Sequence, residues 1–236
     1  MSAPATEQRW SFITELRDPD GYLIVLLLTV IQLVLWPLFD VIPEFVAVAF
    51  VLTATTLLLA LHRARAHRAW LTVAYIILAI LAVFSIAGAI SSRLRANDAG
   101  FLVAAGALLY GLVVGMTFPL VVRRAFQHSV VGLSTLAAAL SAYLFLGMFY
   151  AGVIRFIGEN TGNFFAQPVK NNAATAFYFA FETLTTLGMG DLTPGPQVAR
   201  VVTILCALSG QIFLVTAVAR LVSLWGQERG GRLVEQ

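Results

Sequence analysis

The run Ala176-Phe-Tyr-Phe-Ala-Phe-Glu-Thr-Leu-Thr185-Thr-Leu-Gly-Met-Gly190-Asp-Leu-Thr-Pro194-Gly-Pro-Gln-Val-Ala-Arg200 decides the fold. It opens inside an apolar, aromatic stretch, Ala173 to Thr185, of only about thirteen residues. A helix that crosses a hydrocarbon core of roughly 30 Å needs about 20 residues, so this stretch predicts a re-entrant helix that enters a membrane without crossing it. Gly188 and Gly190 then break the helical pattern, Pro194-Gly195-Pro196 turns the chain, and a full-length apolar run begins at Val198.

Working outward, the rest of the chain is as apolar as this segment. Of 236 residues, 59% are hydrophobic and 11% charged, against roughly 25% charged in an ordinary soluble domain. A soluble enzyme is excluded. The net charge is +3, and the arginines fall in short stretches rather than on one basic face, so a nucleic-acid partner is not expected. The single cysteine, Cys206, lies in an apolar run; it can form no intrachain disulfide and reads as a packing residue. The first residues lack the pattern of a cleaved signal peptide, so the first apolar segment is expected to insert the chain.

Uncharged runs long enough to span, bounded by charges, Pro or Gly, predict six crossings: Tyr22 to Phe39, Phe45 to Leu61, Ala69 to Ile90, Phe101 to Val122, Val130 to Ile157 and Val198 to Trp225. With six crossings, ten arginines fall on the side of the termini, and Arg93, Arg95, Arg155, Lys170 and Arg200 on the other. The excess places both termini in the cytoplasm of a cell (inner) membrane protein. Thr6 to Leu16 puts Trp10, Phe12, Ile13 and Leu16 at roughly helical spacing before the stop Arg17-Asp-Pro-Asp-Gly21, which fits an interfacial helix, with a disordered tail carrying a chance cluster as the other reading. The domain reading is an N-terminal segment 1–21, a four-helix domain 22–129, a second domain 130–225 and a short tail 226–236. His62, His67 and His128 fall in or beside the connections and read as solvated loop residues, and no spacing of His, Cys and carboxylates suggests a metal site.

Thr186-Leu187-Gly188-Met189-Gly190-Asp191, preceded by a short apolar helix and followed by a full crossing, resembles the pore signature of potassium channels. The resemblance runs from about Val130 through Trp225 and implies an all-α membrane protein with six transmembrane helices plus a re-entrant pore helix and filter loop, assembled as a homotetramer in the lipid bilayer. It implies an ion-binding filter at Thr186, Leu187, Gly188, Met189 and Gly190, occupied by potassium ions, with no other cofactor. An ion entering a narrow pore exchanges its water shell for other oxygens, and rings of backbone carbonyls supply them without fixed charge. Successive carbonyls reach one axis only if the backbone alternates between ordinary and left-handed conformations, which glycine permits. Leu187 and Met189 are then expected to turn their side chains into the surrounding protein. Asn171 or Asn172 caps the start of the pore helix, and its partly negative C-terminus faces the central cavity.

The same resemblance implies that Glu182 and Asp191 support the filter as a carboxyl pair sharing a proton, because two carboxyls close together in a poorly hydrated site do not easily both ionise. Tyr178 falls where a donor to the Asp is found. Gly210, about twenty residues after Gly190, falls at the position of a gating hinge, with helix packing as the other reading. Two departures bear on function. Met189 replaces the Tyr usual between the filter glycines, substituting a flexible thioether for a stiff donor, which leaves a weakly selective monovalent cation channel or a non-conducting partner subunit as alternatives to a potassium-selective one. The fourth crossing has no arginine at every third position, so no intrinsic voltage sensor is expected. An intramembrane hydrolase would need a general base, and no histidine lies within a predicted crossing.

Overall fold

The computed structural model describes residues 22–39, 46–64, 67–94, 99–127 and 133–234. The expected interfacial helix at Thr6 to Leu16, His128 and Arg95 lie outside them. The described residues form seven helices, α1 (Leu23–Phe39), α2 (Val46–Arg63), α3 (Arg68–Leu94), α4 (Ala99–Gln127), α5 (Leu133–Thr161), α6 (Ala173–Leu184) and α7 (Gln197–Val234). No strand occurs among the described residues, where β pairing is confined to the isolated bridge between Phe165 and Pro194.

Three of these helices are long and apolar enough to cross a membrane, over Ala105–Arg123, Leu133–Thr161 and Gln197–Ser223; the apolar stretches Leu23–Leu35, Phe50–Arg63 and Arg68–Phe84 are shorter. Helices do not end where apolar runs do. The α3 helix continues through Ser91, Ser92 and Arg93 to Leu94, and α7 runs past Trp225 to Val234. Backbone hydrogen bonding continues past a charge that would end a hydrocarbon span.

At the centre stands α5, packed against α1, α4, α6 and α7. Its contact with α4 is made through glycine. A Cβ on Gly152 would lie 2.8 Å from the Ala107 carbonyl oxygen and 3.0 Å from the Gly111 Cα, so the two backbones meet there with no side chain between them. Such close approach is how small residues join helices when hydrophobic association contributes little. Buried polar groups are satisfied locally: Thr29, Thr117 and Ser141 each donate to the carbonyl four residues earlier at 2.7–2.8 Å. Gln32 of α1 donates its amide to Thr53 Oγ1 of α2 at 2.7 Å. The exterior, by contrast, is apolar. Val34, Val51, Val83 and Ile86 are exposed, as are Val198, Val201, Leu205, Leu208, Ile212, Val215, Val218 and Val222, which recur along α7 in steps of three or four. A continuous apolar exterior suits lipid or another chain, not water.

Candidate functional site

The site is built at the end of α6. Asn172 starts this helix: its backbone is extended, and Oδ1 accepts from the Thr175 backbone N–H at 2.9 Å and from the Thr175 hydroxyl at 2.8 Å. The neighbouring Asn171 has a different task. Its amide donates to the Arg155 carbonyl at 3.1 Å, and the side chain lies so close to Gly158 that a Cβ there would collide with it. Of the two candidate caps, then, Asn172 caps and Asn171 seats the loop against α5.

The other end of α6 is gripped from two sides. Tyr143 of α5 donates its hydroxyl to the Leu184 carbonyl at 3.1 Å, and its ring stacks on Phe213 of α7 at 5.7 Å. Gly210 of α7 is buried directly beneath: a Cβ there would lie 2.5 Å from that same Leu184 oxygen and 2.9 Å from Leu184 Cδ1. Gly210 therefore permits close packing of α7 on the end of α6, and α7 is one unbroken helix through it. Behind α6, Phe179 makes edge contacts with Phe164 and Phe165 at 5.7 and 5.2 Å.

Beyond Leu184 the chain leaves the helix through Thr185, whose N–H bonds the Phe181 carbonyl at 2.9 Å, and Leu187, whose N–H bonds the Glu182 carbonyl at 2.9 Å. The backbone then alternates. Thr186 has φ 59°, Gly188 56° and Gly190 79°, all left-handed, while Leu187 and Met189 between them are not. Among the described residues Thr186 is the non-glycine residue in this region, a strained position for a β-branched side chain. A Cβ at Gly188 or Gly190 would meet nothing within 4 Å, so glycine is required there for its backbone conformation and not for space. Leu187 and Met189 are 62% and 67% exposed; this single chain supplies no wall behind them.

Three side chains anchor the loop. Glu182, 5% exposed, accepts from the Gly190 backbone N–H through Oε1 at 3.2 Å, while its Oε2 is buried without a hydrogen-bond partner. Tyr178 donates its hydroxyl to Asp191 Oδ1 at 3.1 Å. The two carboxyls do not bond each other directly: one holds Gly190, the other is held by Tyr178, and the adjacency of residues 190 and 191 links them. From α7, Gln211 donates to Thr186 Oγ1 at 3.5 Å.

After the loop, the chain is clasped to the segment between α5 and α6. Ala166 N–H bonds the Thr193 carbonyl at 2.8 Å, Gly195 N–H the Phe164 carbonyl at 3.0 Å, and Gln167 both accepts from Thr193 N–H and donates to Thr193 Oγ1 at 3.0 Å. Neither this clasp nor Tyr143 carries a local sequence signal. Gln211, a lone amide in an apolar helix, carries one that the neighbouring Thr186-to-Asp191 motif overshadows.

Residues 139–226 match the ion channel family. Over 117 residues the chain is 32% identical to the voltage-gated potassium channel Kch of Escherichia coli (strain K12), a match covering 49% of this chain and 26% of that protein. The matched part thus spans about a quarter of the relative's length. No solved structure matches the chain. A short capped helix, a loop alternating through left-handed residues and a following full-length helix lie within the matched region, and this part of the chain is similar to the ion channel family.

Proposed function

We propose that the protein is a homotetrameric channel that passes monovalent cations, potassium in preference to sodium, passively through a filter made of Thr186 to Gly190 from four chains. The observation that carries this reading is the alternation of backbone hand at Thr186, Gly188 and Gly190 directly after the C-terminus of α6. A left-handed residue at every second position is what lets successive carbonyls face one axis and replace an ion's hydration shell. One chain supplies a quarter of such a ring, so the site is complete only with three further copies. The exposed Leu187 and Met189, and the apolar three-and-four pattern along α7, give those copies surfaces to pack against. The α6 C-terminus directs a partly negative helix end at the cavity beneath the filter.

In this reading α1 to α4 cross the membrane together with α5 and α7, both termini are cytoplasmic in the inner membrane, and conduction has no intrinsic voltage sensor. Glu182, Asp191 and Tyr178 hold the outer half of the filter, and Gly210 is the point at which α7 bears on α6 and about which it would bend. A weakly selective pore is a second reading, favoured by the exposed and flexible Met189.

The test is purified full-length protein in mild detergent and in liposomes. A tetramer by light scattering, with cation flux that runs down a potassium gradient, is the expected result. Recovery as a monomer or dimer with no flux would overturn the channel reading. Flux that appears only with a co-purified partner chain would make this protein an accessory subunit.

A further inference from the structure

Thr186 is strained, and besides its local bonds it receives one from a residue of α7. Thr186 is β-branched and left-handed at φ 59°, a conformation of order 1–3 kcal/mol above the ordinary ones that persists only when its surroundings over-determine it. Two of its restraints are local. Its N–H bonds the Thr183 carbonyl at 3.1 Å and its hydroxyl donates to the Thr185 carbonyl at 2.6 Å. Among the described residues the hydrogen bond to Thr186 from another element comes from Gln211, whose amide N–H donates to Oγ1 at 3.5 Å.

The direction of this bond is fixed by chemistry. Because the Thr186 hydroxyl gives its proton to Thr185, it is left with acceptor capacity only, and Gln211 must present its NH2 rather than its carbonyl oxygen. One lone pair of Thr186 faces Gln211 and the other is left over. Gln211 sits on an exposed, otherwise apolar stretch of α7, with Leu208, Ile212 and Val215 around it. An amide on such a face is disfavoured unless it has a polar partner, and Thr186 is that partner.

We infer that Gln211 is a positioning residue for ion discrimination: by holding the Thr186 hydroxyl as an acceptor aimed from one side, it fixes the geometry of the cavity-side ring of filter oxygens. This rests on the channel reading above. Gln211 does not itself replace the ion's water shell. A bond of this length between neutral groups is weak, so the expected effect is about threefold in the ratio of potassium to sodium permeability.

The experiment measures reversal potentials under potassium on one side and sodium on the other, for purified channels in bilayers. Gln211→Leu, which keeps bulk but removes the donor, is expected to lower the permeability ratio about threefold while leaving heat stability of the assembly unchanged. Gln211→Asn, which keeps the amide but draws it back by about 1.5 Å, is expected to do the same and serves if the leucine variant does not assemble. In a Thr186→Ala background neither change should move the ratio further, since the group being positioned is gone. An unchanged ratio in both single variants overturns the inference, as does an equal drop in the Thr186→Ala background, which would mean that Gln211 acts on the cavity without Thr186. If the wild-type protein conducts nothing, it is the channel reading that fails, and this inference with it.

Discussion

Gly210→Ala adds one carbon where α7 presses on the backbone at the end of α6, and its effect can be worked out from the contacts. The new Cβ would sit 2.5 Å from the Leu184 carbonyl oxygen, where ordinary contact begins at 3.4 Å, a shortfall of about 0.9 Å that something must absorb. The oxygen is poorly placed to move, because Tyr143 holds it at 3.1 Å and the Thr185 cap follows directly. Overpacking against a restrained neighbour costs about 1–3 kcal/mol, and Gly to Ala in a helix interior returns about 1 kcal/mol. The net is a destabilisation of about 1 kcal/mol per subunit, or about 4 kcal/mol across four copies if the sites add. Gly106→Ala is the internal control: a Cβ there meets nothing within 4 Å, so only the helix-propensity gain remains. The assay is the fraction of tetramer surviving a heat step, read by size-exclusion chromatography beside single-channel conductance. Gly210→Ala is expected to lower that fraction and Gly106→Ala to hold or raise it. A Gly210→Ala assembly as heat-stable as wild type refutes the packing argument, and if only its open probability changes, a bend at Gly210 is the better account.

Three other outcomes are expected. Met189→Tyr should raise the potassium-to-sodium permeability ratio, because a stiff side chain with a donor restrains the filter more than a thioether does; a lower ratio in an intact tetramer would show that packing specific to Met sets the filter. Glu182→Gln keeps an acceptor for the Gly190 N–H and should assemble normally while changing how long the filter stays conducting. Glu182→Ala removes the acceptor of that N–H and should shorten conduction further, and unchanged steady-state current and acid response in both would remove Glu182 from filter support. Open probability should vary only shallowly with voltage, each charge crossing the field contributing about 2.3 kcal/mol per 100 mV; a measured gating charge of several elementary charges per subunit would contradict it.

Short-range features of the site were legible in the sequence. A short helix, read from a short apolar run, lies at Ala173–Leu184, because an apolar segment bounded by Asn and Gly has few other solutions. Gly188 and Gly190 announce their backbone hand by lacking Cβ. Thr186 does not: a β-branched residue argues against a left-handed conformation, and only its neighbours impose one. The choice between Asn171 and Asn172 was equally hidden, since adjacent residues of the same type differ only in which one faces Gly158. Tyr143 and the Gln167–Thr193 clasp join residues separated by 41 and 26 positions, and no periodicity encodes such pairings before the helices are docked. For α1 to α3 the apolar runs located the helices, but their ends follow hydrogen bonding and not hydropathy.

The glycine contact between α4 and α5 bears on how the two halves of the molecule communicate. Where helices meet through long side chains, a displacement of one can be taken up by rotamer changes at the seam. Gly111 and Gly152 leave no such cushion, since backbone rests on backbone and protein interiors yield little under compression. The joint therefore behaves as a rigid coupling: a force on α4 is delivered to α5 almost undiminished, and α5 holds the end of α6 through Tyr143. A load borne by α4 would thus arrive at the end of α6 and, through the ring of Phe213 that Tyr143 and Phe118 both meet, at α7 as well.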